Sequence, residues 1–260
     1  MHGTNDCMRC RAIGIIFGAL ALLVGGCAGP VISPQSNNTV ILVPGIGGND
    51  WNYRQVCPAL ADGGCRDCLQ TFDWSPGWEL CFLALSWGDL HDSAEKHLAE
   101  IVIDWRSKHP GSRIVLIGHS AGAGVILGML GRLPPDFGNV GPVILLAPSI
   151  SPDYDLRAAL AHTDIIHVFF SDKDDLWQGF GQVVFGGYDG IHRIGAGQRG
   201  FSLMNLNASE KARIVQHPWL PKWDSLGEHG GHFDWLKHDF VMHVIEPIVD
   251  RRSENLAAGH

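Results

Sequence analysis

The chain predicts an α/β fold, a single domain built on a mostly parallel sheet with helices on both faces. Three observations carry that reading. Short apolar, β-branched runs alternate with longer stretches of helical period, the pattern of parallel strands joined by helical crossovers. One run, Arg113-Ile114-Val115-Leu116-Ile117, leads directly into Gly118-His119-Ser120-Ala121-Gly122, and Ala123 to Leu133 leaves it as an apolar helix stopped by Pro134-Pro135. At 260 residues, with 45% hydrophobic and 18% charged content, the chain is long enough for one sizeable core, and no break in composition asks for a second.

Val40-Ile41-Leu42-Val43 reads as the first strand, four apolar residues ended by the turn formers Pro44-Gly45-Ile46-Gly47-Gly48. Asn49 or Asp50 caps a helix from about Trp51 to Leu60. A cysteine- and tryptophan-rich excursion covers Asp62 to Trp78, and Leu80 to Trp87 reads as the second strand. His91 to Lys108 is an amphipathic helix with Ala94, Leu98, Ile101, Val102 and Trp105 on one face. The run before Ser120 is the third strand and Val143 to Leu146 the fourth, followed by a short helix near Leu156 to Leu160. Ile165 to Phe170 and Arg213 to Gln216 are the fifth and sixth strands. Leu236, Phe240, Val244 and Ile248 mark a closing helix. The connection from Leu176 to Ala212 is long for a compact domain. Its glycine-rich text reads equally as a flap over a cleft and as a loop packed on the sheet. Trp51, Trp74, Trp78 and Trp87 crowd the first two strands, and Trp219, Trp223 and Trp235 precede the closing helix. Core packing is the simplest use for them, with an acyl-binding wall as the functional alternative.

The formal net charge is −8, and no Lys/Arg run offers a local exception, which argues against nucleic acid as a partner. Residues 1–26 stand apart from the fold. Arg9 and Arg11 form a positive n-region, and Ala12 to Val24 form an apolar core too short to span a bilayer comfortably. Leu23-Val24-Gly25-Gly26-Cys27 resembles a bacterial lipobox, which implies a signal peptide over 1–26 and a lipid on Cys27. It also implies an exported protein held at the cell envelope, on the periplasmic or outer-membrane face. An uncleaved anchor helix is the competing reading. Residues 27–38 then form a polar tether, 39–250 the domain and 251–260 a tail. Cys57, Cys65, Cys68 and Cys81 remain, an even number in an oxidising compartment, so two disulfides of undetermined pairing are expected. Half a zinc site or a redox pair at Cys65-Arg66-Asp67-Cys68 finds no matching histidines or helical context.

The order of elements, the Val43-Pro44-Gly45-Ile46-Gly47-Gly48 turn, the G-x-S-x-G at Ser120, an acidic turn after a late strand and a histidine before the last helix resemble the α/β-hydrolase superfamily in its lipase/esterase-like form. The likeness covers about Thr39 to Asp250. It implies a serine hydrolase acting on an ester or related acyl bond, and equally a thioesterase or acyltransferase with the same machinery. A serine hydroxyl is a poor nucleophile unless a base and an orienting acid stand behind it. The superfamily carries these in the order Ser, Asp/Glu, His, which Ser120, Asp174 and His232 satisfy. Asp172 and Asp175 flank Asp174, Asp153 and Asp155 follow the preceding strand, and His229 lies in the same loop as His232; each is an alternative. Backbone N–H groups of Ile46 and Ala121 match the oxyanion-hole positions. Gly45-Ile46-Gly47-Gly48 as a phosphate loop lacks the Lys-Ser/Thr ending. A small or medium acyl ester is the expected substrate, no metal or organic cofactor is implied, and a catalytically silent envelope lipoprotein is the rival from another class. Cys27→Ser is expected to abolish lipid attachment and membrane association. Mass spectrometry of the membrane fraction checks this, and a lipid adduct on the variant would contradict it.

Overall fold

The computed structural model describes residues 36–76, 88–175 and 186–250. The signal segment, Cys27, most of the tether, the Leu80 to Trp87 strand, Trp78, Cys81, Phe185 and the tail from residue 251 lie outside the described residues.

Among the described residues six strands form one sheet: β1 Thr39–Val43, β2 Cys68–Thr71, β3 Ile114–His119, β4 Val143–Leu146, β5 Ile166–Phe170 and β6 Ile214–Pro218. Their order is β2-β1-β3-β4-β5-β6, and every pairing is parallel. Side chains alternate across the sheet. Ile41, Val43, Ile114 and Leu116 face one core cluster, and Val40, Leu42, Val115 and Ile117 face the other. Both faces are therefore covered, which is why these strands read as continuous apolar runs rather than alternating ones.

One cluster packs under α2 (Gly88–Lys108) and α3 (Ala121–Leu130). The other packs under α1 (Val56–Gly63) and the closing segment, which runs His238–Phe240, a π-turn Val241–Ile245 and Glu246–Val249. α1 follows a 3-10 turn, Tyr53–Gln55, and ends at Gly64 with φ 114°, a left-handed cap that glycine adopts without penalty. Phe240 anchors the closing segment, with ring centroids 5.3 Å from Trp223, 5.5 Å from Trp235 and 5.9 Å from Phe169 of β5. That aromatic cluster fixes the loop before the closing segment against the sheet.

The described part of the long connection is packed rather than flap-like. Tyr188 wedges against α3 at Gly124, where a Cβ would stand 2.3 Å from its ring. Its hydroxyl donates to Glu95 Oε1 at 2.7 Å, and Arg132 Nε donates to Glu95 Oε2 at 2.7 Å. Ala196 N–H and Gly197 N–H donate to the carbonyls of Ile150 and Pro148 beyond β4.

Three expectations need revision. A strand lies at Cys68–Thr71, inside the stretch read as an excursion, because Leu69 and Cys68 bury on β1 while Thr39 Oγ1 donates to the Cys68 carbonyl. Cys57, Cys65 and Cys68 are free thiols. Two bridges among four cysteines would require one within this trio, and the Cys57 thiol instead bonds Thr71 while Cys68 Sγ accepts from Gln70. Trp74, Trp223 and Trp235 are core residues, but Trp51 is 70% exposed.

Phe240→Ala is expected to cost about 3–5 kcal/mol in urea unfolding, because it opens a cavity among rings. Met204→Ala, at an 85% exposed position, is expected to stay within about 0.5 kcal/mol. Equal losses would contradict the aromatic cluster as anchor.

Candidate active site

β3 ends at His119 and α3 begins at Ala121, so Ser120 alone makes the turn between them. Its φ of 55° and ψ of −125° lie where a side chain is strained by about 1–3 kcal/mol. Neighbouring backbone holds it there. Ser120 N–H donates to the Leu146 carbonyl at 3.0 Å, and its own carbonyl accepts from Ala123 and Ser149 N–H, each at 3.1 Å. The glycines around the turn have a steric reason. A Cβ on Gly122 would stand 2.2 Å from the Val43 carbonyl oxygen, and one on Gly118 would stand 2.8 Å from Ala123 Cα.

The exit of β1 is thus pressed onto the first turn of α3. Gly45, one residue further, lies against the serine itself: a Cβ there would be 3.0 Å from Ser120 Cβ and 3.5 Å from Ser120 Oγ. The turn carrying Ile46 therefore borders Ser120 on one side. Ala121 borders it on the other, with an N–H that opens the helix and has no carbonyl partner within it.

Asp174 lies in the turn after β5, and its Oδ2 is 2.6 Å from His232 Nδ1. The two side chains are 1% and 4% exposed. A carboxylate accepts only, so Nδ1 donates, which leaves the lone pair of the neutral ring on Nε2. The other candidates are engaged elsewhere. Asp172 is exposed, Asp175 accepts from Gln198, and exposed His229 pairs with Asp224 at 2.9 Å. Asp153 pairs with Arg193, and Asp155 with Arg157. The His232 backbone is tied to the serine turn, because His119 Nε2 donates to the His232 carbonyl at 2.7 Å. The structure thus brings Asp174 to His232, and His232 to the residue before Ser120. Among the described residues no group of three His, Cys, Asp or Glu side chains is placed to hold a metal ion.

Two buried groups at this site escape sequence reasoning. Tyr53 hydrogen-bonds His119 Nδ1 at 2.7 Å, and nothing in its sequence context signals that contact. Glu228 opens the histidine loop and is fully buried. Its Oε1 accepts from Gly230 N–H at 2.9 Å, while Oε2 has no partner. Burial pushes its carboxyl up to about 8, with Asp234 and Asp224 adding to the rise against Gly230 and Lys173. The folded protein then holds a proton that the unfolded chain releases near 4.5. Stability contributed by Glu228 is complete below that pH and is lost as pH rises through about 8. Glu228→Gln is expected to flatten this slope in a pH series of urea midpoints. A variant as pH-sensitive as the parent would contradict it.

The family comparison agrees with this architecture. Residues 40–256 match the model of the alpha/beta hydrolase family. Among solved structures, esterase PE8 is similar at 16% identity and TM-score 0.49, covering 88% of this chain and 97% of that one. The type II thioesterase BorB from the borrelidin biosynthetic cluster is similar at 15% identity and TM-score 0.47, covering 86% and 95%. The dienelactone hydrolase from Anabaena variabilis is similar at 14% identity and TM-score 0.47, covering 87% and 96%. No curated protein sequence matches. With a family match across most of its length and a single parallel sheet of the kind described, this chain belongs to the α/β-hydrolase family.

Proposed function

We propose that the protein is a serine hydrolase that cleaves a carboxylic ester or related acyl bond through an acyl-enzyme on Ser120. The observation that carries this reading is the buried 2.6 Å contact between Asp174 and His232, tied through His119 to the strained turn at Ser120. Asp174 holds the imidazole in the tautomer whose Nε2 carries the lone pair and acts as base. His232 takes the Ser120 proton as Oγ attacks the acyl carbon, and the oxyanion that forms is met by the N–H groups of Ile46 and Ala121. Each such donor is worth on the order of 3 kcal/mol in the transition state. The imidazolium then returns its proton to the leaving oxygen, and the acyl group stays on Ser120. Water, deprotonated by the same ring, attacks the acyl carbon, and Ser120 leaves with the proton restored.

A thioester would be opened by the same steps, since only the leaving atom differs. The described loops at the carboxyl ends of the strands carry only short helices, which favours small or medium acyl groups over bulk lipid. The Arg9/Arg11 n-region, the apolar Ala12 to Val24 run and the Leu23 to Cys27 motif support export and lipid anchoring at Cys27, with the domain held at the envelope.

A series of p-nitrophenyl esters of increasing acyl length tests the activity. Ser120→Ala and His232→Ala are expected to lower kcat/KM by about 10⁴-fold or more, and Asp174→Asn by about 10³- to 10⁴-fold. Folded parent protein that turns over neither oxygen esters nor thioesters would contradict the proposal, as would full activity in Ser120→Ala.

A further inference from the structure

Behind the serine turn runs a chain of hydrogen bonds whose direction the chemistry of its ends determines. At one end the His232 carbonyl can only accept, so His119 Nε2 carries a hydrogen and donates to it at 2.7 Å. At the other end the Gly45 N–H can only donate, and it donates to Tyr53 Oη at 2.9 Å. Between them lies the 2.7 Å contact of Tyr53 Oη with His119 Nδ1. With Nε2 protonated in a neutral ring, Nδ1 is the acceptor, so the tyrosine hydroxyl must be the donor. Each hydrogen bond in the chain runs in the same sense: Gly45 to Tyr53, Tyr53 to His119, His119 to His232.

The ring of His119 is completely buried, and Tyr53 is 3% exposed. Burial and the neighbouring His232 hold His119 well below the ordinary imidazole range, and burial raises Tyr53 above the ordinary phenol range. Both stay neutral, so the chain does not reverse near neutral pH. The ring centroids of His119 and His232 are 4.7 Å apart. Because both nitrogens of His119 are committed, it cannot take the proton that His232 must carry.

We propose that Tyr53 and His119 are positioning residues, a strut of fixed hydrogen-bond direction that holds the His232 backbone and the Gly45-Ile46 turn in one frame about Ser120. The strut joins three separate parts of the chain: the exit of β1, the end of β3 and the loop before the closing segment. This inference rests on the serine hydrolase reading above. It assigns no contact with substrate to either residue. Their effect is on the alignment of the base with the oxyanion donors, where a displacement near 1 Å costs about 100-fold in rate.

The test is the kinetics of inactivation by a fluorophosphonate over a concentration series, which separates the maximal rate of serine phosphonylation from probe binding. Tyr53→Phe removes the hydroxyl, leaving the Gly45 N–H and His119 Nδ1 unpaired. It is expected to lower the maximal rate by about 10- to 100-fold with half-saturation unchanged. His119→Gln keeps a donor near the Nε2 position, and His119→Asn keeps only a group near Nδ1. The glutamine variant is therefore expected to retain more of the rate than the asparagine variant, a rescue that loss of packing alone would not produce. Should Tyr53→Phe fail to fold, the glutamine and asparagine pair decides. Maximal rates equal to the parent's, a loss confined to half-saturation, or equal losses in the two His119 variants would each overturn the strut while leaving the parent reactive. A folded parent that takes no probe would instead overturn the serine hydrolase reading, and the strut's role with it.

Discussion

The close approach of α3 to the exit of β1 is the constraint on which the rest of the site depends. The Val43 carbonyl stands where any side chain at 122 would be, so the two elements meet backbone to backbone. That contact forces Ser120 into its positive-φ turn and sets Gly45 against its side chain. It also falls where the sheet changes direction of growth: from β1 the chain goes outward to β2, then returns to lay β3 on the other side of β1 and continues to β6. Crevices in parallel sheets open at such switch points, beyond the carboxyl ends of the strands. Fold topology and local sterics thus select the same place.

From that point the remaining groups are delivered by elements far apart in sequence. The turn after β5 brings Asp174, and the aromatic cluster around Phe240 secures the segment that follows His232. Asp174 and His232 are thereby positioned by the core rather than by each other alone. Gly230 shows how tightly the two loops meet, since a Cβ there would lie 2.6 Å from Ser171 Oγ. Glu228 adds a buried carboxyl under the same loop, which couples the loop's stability to pH.

Much of this was legible in the residues. β1, β3, β4 and β5 are short, mainly apolar runs and β6 opens on Ile214-Val215, and each of these five overlaps the run that predicts it within two residues. Ser120 was visible because glycine spacing reports a steric requirement of the turn. Chain order left several aspartates and two loop histidines, the family resemblance favoured Asp174 and His232, and burial separates those two from exposed Asp172 and His229. β2 was hidden because Cys-Leu-Gln-Thr carries a single aliphatic residue and no periodicity to distinguish it from loop. The cysteines misled because their even number speaks of compartment and not of geometry. Tyr53 and Glu95 were invisible for another reason: each gains its meaning from a partner at long range, His119 for one and Tyr188 with Arg132 for the other. Local patterns carry no trace of such pairs.

The central claim is that one hydroxyl, that of Ser120, becomes covalently bound to the acyl group. Its most direct measurement is the mass of the intact folded protein after reaction with a fluorophosphonate, followed by location of the added mass in a peptide digest. A single adduct on the peptide bearing Ser120, absent from the Ser120→Ala protein, is the result the account predicts. An adduct on another residue, or none on the folded parent, would contradict it.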